Sequence, residues 1–427
     1  MRLILVDNRD EIRSNFHPLT LSRPIWELRC GFSSLADKLI DVVKPAETAC
    51  FVPDYMAEFY RQKTDRLVND ISALTGDDLL VLDPRIKADS LNIPTEGKSE
   101  VGLDDNGNIL YARINQTDAA TLPSDNIDVF LDAAKQKLAS TNYTAKLWNY
   151  TWDLILANPQ QLITDFETTG KYGIEGTVEQ PNAIRGNKKD VYIAKGAVVH
   201  PMVVIDCEHG PVYIESDALI HPFTRIEGPC YIGKNSILLG AKCREGNSIG
   251  PLCRLGGEIE ESIIQGHSNK YHDGFLGHAY VGEWVNLGAF TSNSDLKNDY
   301  SNVSVVLNGR EGIDTGSTKV GSLIGDHTKT SIGTLLNTGS YVGAMTIIMA
   351  TGRPMQKFLP SFSWFLEGVV TKGFGKGKLY LTAKTAMSRR GCQWTQAEQD
   401  MWDAVFNITA SLRGEAVKKG RKIMLSR

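Results

Sequence analysis

Of the eight histidines in this chain, seven lie between residues 200 and 327. An imidazole titrating near neutral pH is the usual general base when an amine must lose a proton as it attacks. Most of these histidines have ordinary explanations. His200 and His221 directly follow inward aliphatic residues of a repeat, so they point outward. His209 falls in a loop, and His278 and His327 take corner-like positions. His272 differs. It lies where the repeat is broken, flanked by Lys270, Tyr271 and Asp273, just before the repeat resumes at Phe275-Leu276-Gly277. A second set of chemistry-bearing residues follows the first apolar run: Arg9, Arg13, Arg23 and Arg29, side-chain cations suited to phosphate groups.

The elements that must position these groups fall into three parts. At about 100–200 residues per domain, 427 residues predict two or three domains. Of 39 glycines, 5 precede residue 170, 27 lie between 170 and 352, and 7 follow, so the middle is built differently from the ends. Residues 1–175 read as an α/β domain. Arg2-Leu-Ile-Leu-Val6, Ala49-Cys-Phe-Val52 and Leu79-Leu-Val-Leu82 are predicted strands; the spacing of apolar residues predicts helices over 33–43, 127–138 and from 152 onward. Such alternation favours a mostly parallel sheet with its sites at the carboxyl ends of the strands.

Through residues 176–354 the period becomes six: Ile193, Val199, Ile205; Ile214, Ile220, Ile226, Ile232, Leu238; then, after a slip of one, Ile249 and Leu255; then Ile324, Thr330, Leu336, Val342, Ile348. A period of six fits a parallel β-helix, with the aliphatic residue inside and Gly, Asn or Asp at the corners. The repeat breaks near 266–274 and between 293 and 320, and insertions into a solenoid leave as loops on one face. Residues 355–427 form a helical extension beginning at Pro360-Ser-Phe-Ser-Trp364. It carries a capping box at Thr395-x-x-Glu398 and an excess of 12 Lys/Arg over 4 Asp/Glu from residue 371 onward. This extension reads as a cap over the open end of the solenoid or as a basic arm near an anionic ligand.

Composition narrows the function classes. The 46 basic and 50 acidic side chains leave a net charge of −4, which argues against a nucleic-acid partner. No apolar run approaches ~18 residues, and Met1–Val6 is too short for a signal h-region, so a soluble, cytoplasmic protein is expected. Seven scattered cysteines with no C-x-x-C fit reduced thiols rather than a disulfide framework or zinc site.

The hexad register, with Asn269-Lys-Tyr-His272-Asp-Gly-Phe-Leu-Gly277 and Val285-Asn-Leu-Gly-Ala289, resembles the bifunctional UDP-N-acetylglucosamine pyrophosphorylase/glucosamine-1-phosphate N-acetyltransferase family. The chain is similar in particular to a divergent Bacteroidetes-type branch of sugar nucleotidyltransferases, through Ser22-Arg-Pro24, Trp152-Asp-Leu154, the run 293–298 and Pro360–Trp364. The resemblance implies a Rossmann-like nucleotidyltransferase domain, a left-handed β-helix, and a homotrimer with shared sites. It implies acetyl-CoA as acyl donor, a sugar phosphate and a nucleotide as further small-molecule partners, and Mg²⁺ for nucleotidyl transfer. In that family the catalytic base stands where His272 stands, with an orienting glutamate 14 residues earlier, here Glu258. Phe275, Asn286 and Ala289 fall at positions lining the sugar and acetyl-CoA, Ala289 through its backbone, with Asn293 nearby. Asp83 corresponds to a strand-end Mg²⁺ ligand.

Two departures bear on the acceptor and the nucleotide. Where the family has a lysine for the sugar phosphate this chain has Glu260, so Arg244, Arg254 or Lys270 must supply the charge or the acceptor differs. Where the family has a Gly-rich loop after its first strand, the first glycine here is Gly31. The resemblance therefore implies N-acetylation of an amino sugar, glucosamine 1-phosphate foremost, with nucleotidyl transfer from UTP or dTTP as the alternative activity. A nucleotide-sugar-binding trimer that has lost catalysis is the remaining alternative.

Overall fold

The computed structural model describes residues 1–7 and 9–426. Arg2–Val6, apolar after its first residue, is buried in the middle of a seven-stranded mixed sheet. Its neighbours are Glu47–Phe51 on one side and Leu79–Leu82 on the other, both parallel to it. The helix Leu35–Val43 connects the first strand to the second, and Ser34 and Asp37 close its N-terminus as a reciprocal capping box. After Leu67–Val68 the chain crosses back to Leu79–Leu82. Asp7 and Asp83 thus end adjacent strands at the point where the winding reverses, the usual ligand position in sheets of this kind. Ile109–Ile114 and Glu100–Leu103 extend the sheet in antiparallel fashion. The helix Thr151–Thr169 then leads to the solenoid.

The solenoid is a parallel β-helix of three sheets. One interior column runs Ile193, Ile214, Ile232, Ile249, Ile264, Val281, Ile324, Val342, Leu359, all buried. A second column runs Val199, Ile220, Leu238, Leu255 and a third Ile205, Ile226, Cys243, Ile259, Leu276. Each rung removes three apolar side chains from water, and the stack forms one continuous core. The expected break between 293 and 320 is an insertion, carrying the hairpin Ser304–Val306/Gly312–Asp314.

The expected break at 266–274 is not an insertion. Ile263–Gly266, Asn269–Lys270 and Phe275–Gly277 are strands of an ordinary coil. The hexad vanished there because Lys270 takes the interior position directly after Leu255. Nor does the coil end at 354. Phe358–Leu359 and Trp364–Leu366 make a further turn, with Phe365 inside and Phe362 at a left-handed corner. Aromatic residues in place of aliphatic ones hide that turn from a hexad search.

Beyond the coil come the helices Gly375–Ser388 and Gln396–Ile408, which pack along its side and the first domain, and Ala410–Leu425, which caps its open end. Val417 enters the solenoid core, and Gly420 lets the last helix approach the Val370 carbonyl, which a Cβ there would strike at 2.3 Å. Gln396–Ile408 also packs on the helix Asp54–Arg61, tying the tail to the first domain. Among the described residues no helix is long and apolar enough to cross a membrane.

Candidate functional site

His272 stands on a corner of the prism rather than on an inserted loop, and its side chain is exposed. Two devices fix that corner. Lys270, buried in the interior column, sends its ammonium outward to the carbonyls of Gly256 and His272. Gly257, at a φ of +69°, is the only residue type that fits beneath, because a Cβ would lie 2.9 Å from the His272 oxygen and 2.7 Å from Lys270 Nζ. Burial lowers the Lys270 pKa to about 8. The expectation that Lys270 contacts the acceptor is thereby corrected: its amine is spent holding backbone inside the coil.

Glu258 lies on the outer face of the neighbouring strand, in register with Phe275 on one side and Lys242 on the other. Its carboxylate is 3.9 Å from Arg244, and among the described residues it makes no hydrogen bond or ion pair with His272, whose ring meets only Tyr271. The two residues share an edge without being bonded to each other. Asn286 is outward on the adjacent sheet and accepts from Asn269 at 3.2 Å. Ala289 lies on the next corner, stacked on that of His272: Phe290 N–H donates to the Asp273 carbonyl at 2.7 Å, and Ala289 carbonyl accepts from Gly333 N–H. Asn293 is corrected. It is buried, and both ends of its amide bond the backbone of Gly277 at 2.8 Å, leaving nothing for a ligand.

The same edge exposes an apolar residue on almost every coil: Met202 is 53%, Phe223 75%, Phe290 63% and Ile332 72% accessible. His272 lies within this column. A file of large apolar side chains in water is uncommon on a surface with no partner.

Glu260, which replaces the expected lysine, is not an unpaired anion. Arg244 donates to it at 2.9 Å and Lys319 at 3.2 Å. Beside it, His278 is held between Asp295 at 2.8 Å and Glu261 at 3.2 Å. Burial pulls the His278 pKa down, but the hydrogen bonds to Asp295 and Glu261 outweigh it and raise it to about 9. Two sets of cations escaped the sequence reading. Lys242, beside Glu258, is exposed and has no ion-pair partner among the described residues. Arg390, from the tail, donates to the Leu252 carbonyl and to Asn269, and its pKa is lowered by burial and by the nearby Arg254. Only the coil register makes Lys242 legible, and only the packing of the tail makes Arg390 legible.

In the first domain the four arginines do not converge. Arg13 is buried, bonded to Asp7 at 2.5 Å and to the Thr20 carbonyl. Arg23 is buried against the coil, paired with Asp326 and 3.4 Å from Glu283. Arg29 bonds the Phe32 carbonyl and lies over Tyr231. These three are corrected from phosphate ligands to internal struts, since each guanidinium is turned to acceptors inside the protein rather than to the strand-end pocket. Only Arg9 reaches a pocket of about 200 Å³ at the strand ends, lined also by Asp83, Asn108, Asp128, Asp132 and Lys135.

Asp83 does not fit a divalent ion. Its buried carboxylate accepts from Arg9 at 2.5 Å and Arg85 at 2.8 Å, so a Mg²⁺ there would meet two guanidiniums at contact distance. The three carboxylates close enough to share an ion among the described residues are Glu245, Glu260 and Glu261, far from the strand ends in the fold.

Comparison with known proteins follows the same division. Residues 3–172 match the family described as sugar nucleotidyl transferase. Over 147 residues the chain is 35% identical to a bifunctional sugar-1-phosphate nucleotidylyltransferase/acetyltransferase of Sulfurisphaera tokodaii, covering 32% of this chain and 34% of that one. Over 113 residues it is 34% identical to the bifunctional protein GlmU of Acidovorax ebreus, covering 26% of this chain and 21% of that one. The chain thus spans between a fifth and a third of the length of these curated relatives. A solved UDP-N-acetylglucosamine acyltransferase aligns at 12% identity and a TM-score of 0.23 over 56% of this chain and 90% of its own; the fold assignment rests instead on the strand register. What the chain is similar to is therefore a sugar nucleotidyl transferase domain in residues 3–172, and, over partial lengths, bifunctional proteins, one of them a nucleotidylyltransferase/acetyltransferase.

Proposed function

We propose that this chain is a transferase of sugar-nucleotide synthesis that N-acetylates an amino sugar from acetyl-CoA at the corner bearing His272. The carrying observation is that corner itself: an exposed imidazole on a backbone whose carbonyl is held by Lys270, beside the outward Glu258 and Phe275 and stacked on the Ala289 corner. In the reaction the amine nitrogen attacks the thioester carbonyl. A C–N bond forms, the C–S bond breaks, the amine proton passes to His272, and the thiolate leaves to be protonated as free coenzyme A. Glu258 orients the imidazole and stabilises its charged form. This requires a rotation of its carboxylate away from Arg244, for which the 3.9 Å separation is no obstacle. The Ala289 N–H, which has no partner among the described residues, is the donor assigned to the developing oxyanion.

Lys242 is the cation assigned to an acceptor phosphate, and Arg254 with Arg390 the pair assigned to the phosphates of coenzyme A. Both assignments follow from positive charge without a carboxylate partner at the edges of the same corner. The exposed apolar column supports a homotrimer in which this edge of one coil faces a neighbouring subunit. The setting is cytoplasmic, where acetyl-CoA and sugar phosphates are available.

The match of residues 3–172 to sugar nucleotidyl transferases favours a second activity in the first domain, with Arg9 the one phosphate-facing arginine. The test of both is one panel. Thiol release from acetyl-CoA is followed with glucosamine, glucosamine 1-phosphate and related amino sugars, and pyrophosphate release with UTP or dTTP and sugar 1-phosphates. Thiol release with at least one amino sugar supports the acyl-transfer reading; none with any acceptor removes it.

A further inference from the structure

Where the first domain, the coil and the C-terminal helices meet, they enclose a cavity of about 210 Å³ that acyl transfer does not use. The first domain contributes Ser22, Arg23, Phe59 and Lys63, the coil Glu283, Trp284 and His327, and the tail Glu398 and Trp402. Its core is an aromatic stack. The Trp284 ring lies parallel to His267 at 4.4 Å and to His327 at 6.2 Å.

Three observations mark this as a built site rather than a packing gap. Arg23, with its Nη2 held by Asp326 and Glu283, leaves its buried Nε without a partner. His327, fully enclosed, leaves its Nδ1 without one. Buried polar atoms are nearly always satisfied, and with the Trp402 Nε1 there are three orphans on residues lining one cavity, which call for a ligand that bonds them. Third, the capping box written in Thr395-x-x-Glu398 closes only halfway. Thr395 accepts from the Glu398 N–H at 3.1 Å, but the Glu398 carboxyl turns into the cavity. Burial raises its pKa to about 7.

The charges select the ligand. Glu27, Glu283 and Asp326 outnumber Arg23 and Lys63 even with Glu398 partly protonated, so a phosphate or nucleotide is repelled. Flat aromatic faces beside polar atoms of both kinds suit a ring with an apolar face and a hydroxyl rim. We propose that this junction cavity binds a small unphosphorylated sugar, stacked on its aromatic lining, with hydroxyls bonded to Arg23 Nε and His327 Nδ1 and donating to Glu283 and Glu398. Because all three parts of the chain contribute walls, such a ligand favours the arrangement in which they are docked.

Titration of the full chain with glucose, glucosamine and N-acetylglucosamine, followed by tryptophan fluorescence and thermal melting, tests this. Glucose 1-phosphate and UMP serve as the phosphorylated comparison. The expected result is a saturable fluorescence change and a raised melting temperature with at least one unphosphorylated sugar and with neither phosphate, at millimolar affinity or tighter. Glu398→Gln, similar in shape, weakens that binding about tenfold or more. Phe275→Ala, which removes a wall of the acyl-transfer corner, leaves it unchanged and so separates this cavity from that corner. No response to any unphosphorylated sugar, a preference for the phosphorylated compounds, or unaltered affinity in the Glu398→Gln variant overturns the proposal; if that variant does not fold, the wild-type titration decides alone.

Discussion

Lys270→Met isolates the cost of an interior ammonium from its use. Lys270 continues the column Val199, Ile220, Leu238, Leu255, so methionine, of similar length, fits the same interior. Burial takes the amine from its ordinary 10.5 to about 8, which at pH 7 corresponds to about 3 kcal/mol of unfavourable free energy. The variant loses hydrogen bonds to the carbonyls of Gly256 and His272, and the corner location lets water replace part of them. The net expectation is a gain of roughly 1–3 kcal/mol at pH 7, or roughly 2–5 °C in apparent melting temperature. The sign with pH follows from the lowered amine pKa. Between about 8 and 10.5 the unfolded chain binds more protons than the native one, so the wild type gains stability relative to the variant as pH rises. Melts at pH 7 and pH 10 therefore show the variant ahead at pH 7 and most of that lead gone at pH 10. Acyl transfer falls despite the added stability, because the His272 carbonyl has lost its tether. A variant that is destabilised at pH 7, or whose advantage is the same at both pH values, refutes the reasoning.

Other consequences are checked in the same way. His278, raised from 6.5 to about 9 between Asp295 and Glu261, contributes about 3 kcal/mol that is fully present below pH 6.5 and lost as pH rises through about 9; Asp295→Asn lowers the melting temperature at pH 6 and flattens that decline. Arg23→Met strands Asp326 and Glu283 at the junction and costs about 3–5 kcal/mol, read by melting and by earlier proteolytic release of the first domain. In a Glu245→Gln variant, which breaks up the Glu245–Glu260–Glu261 cluster, Mg²⁺ leaves the melting temperature of the ligand-free protein unchanged, since Arg9 and Arg85 already neutralise Asp83; a clear rise there would contradict that pairing. Phe223→Asp with Phe290→Asp, both exposed in one protomer, shifts the protein to monomer in sedimentation if this edge is the subunit contact.

The coil was legible because its rule is local: one aliphatic residue per short strand, repeated in register, so Ile193, Ile214 and Ile232 announce their own stacking. The strand Leu79–Leu82 and the helix 35–43 were legible for the same reason, through an apolar run and a capped apolar face. The rule failed where chemistry replaced hydrophobicity. Lys270 inside the coil looked like a break, and Phe365 in the last turn looked like the start of a tail. For the site, the family resemblance pointed to Glu258 and His272, which stand on one edge, but the partners of each charge lie far away in the chain. Arg23 meets Asp326 some 300 residues later, and Lys319 reaches Glu260 from the far end of the insertion. No spacing rule carries such pairs, so cations that looked free proved to be spent, and Lys242 and Arg390 appeared only once coils and tail were in place.

The most direct measurement is thiol release from acetyl-CoA by His272→Ala with the best amino-sugar acceptor, alongside its melting temperature. Because the His272 side chain is exposed and makes no hydrogen bond or ion pair among the described residues, the substitution leaves the melting temperature within about 1 °C of wild type. The loss of a general base lowers turnover by about 10²–10⁴-fold. A folded variant that turns over at the wild-type rate contradicts the account.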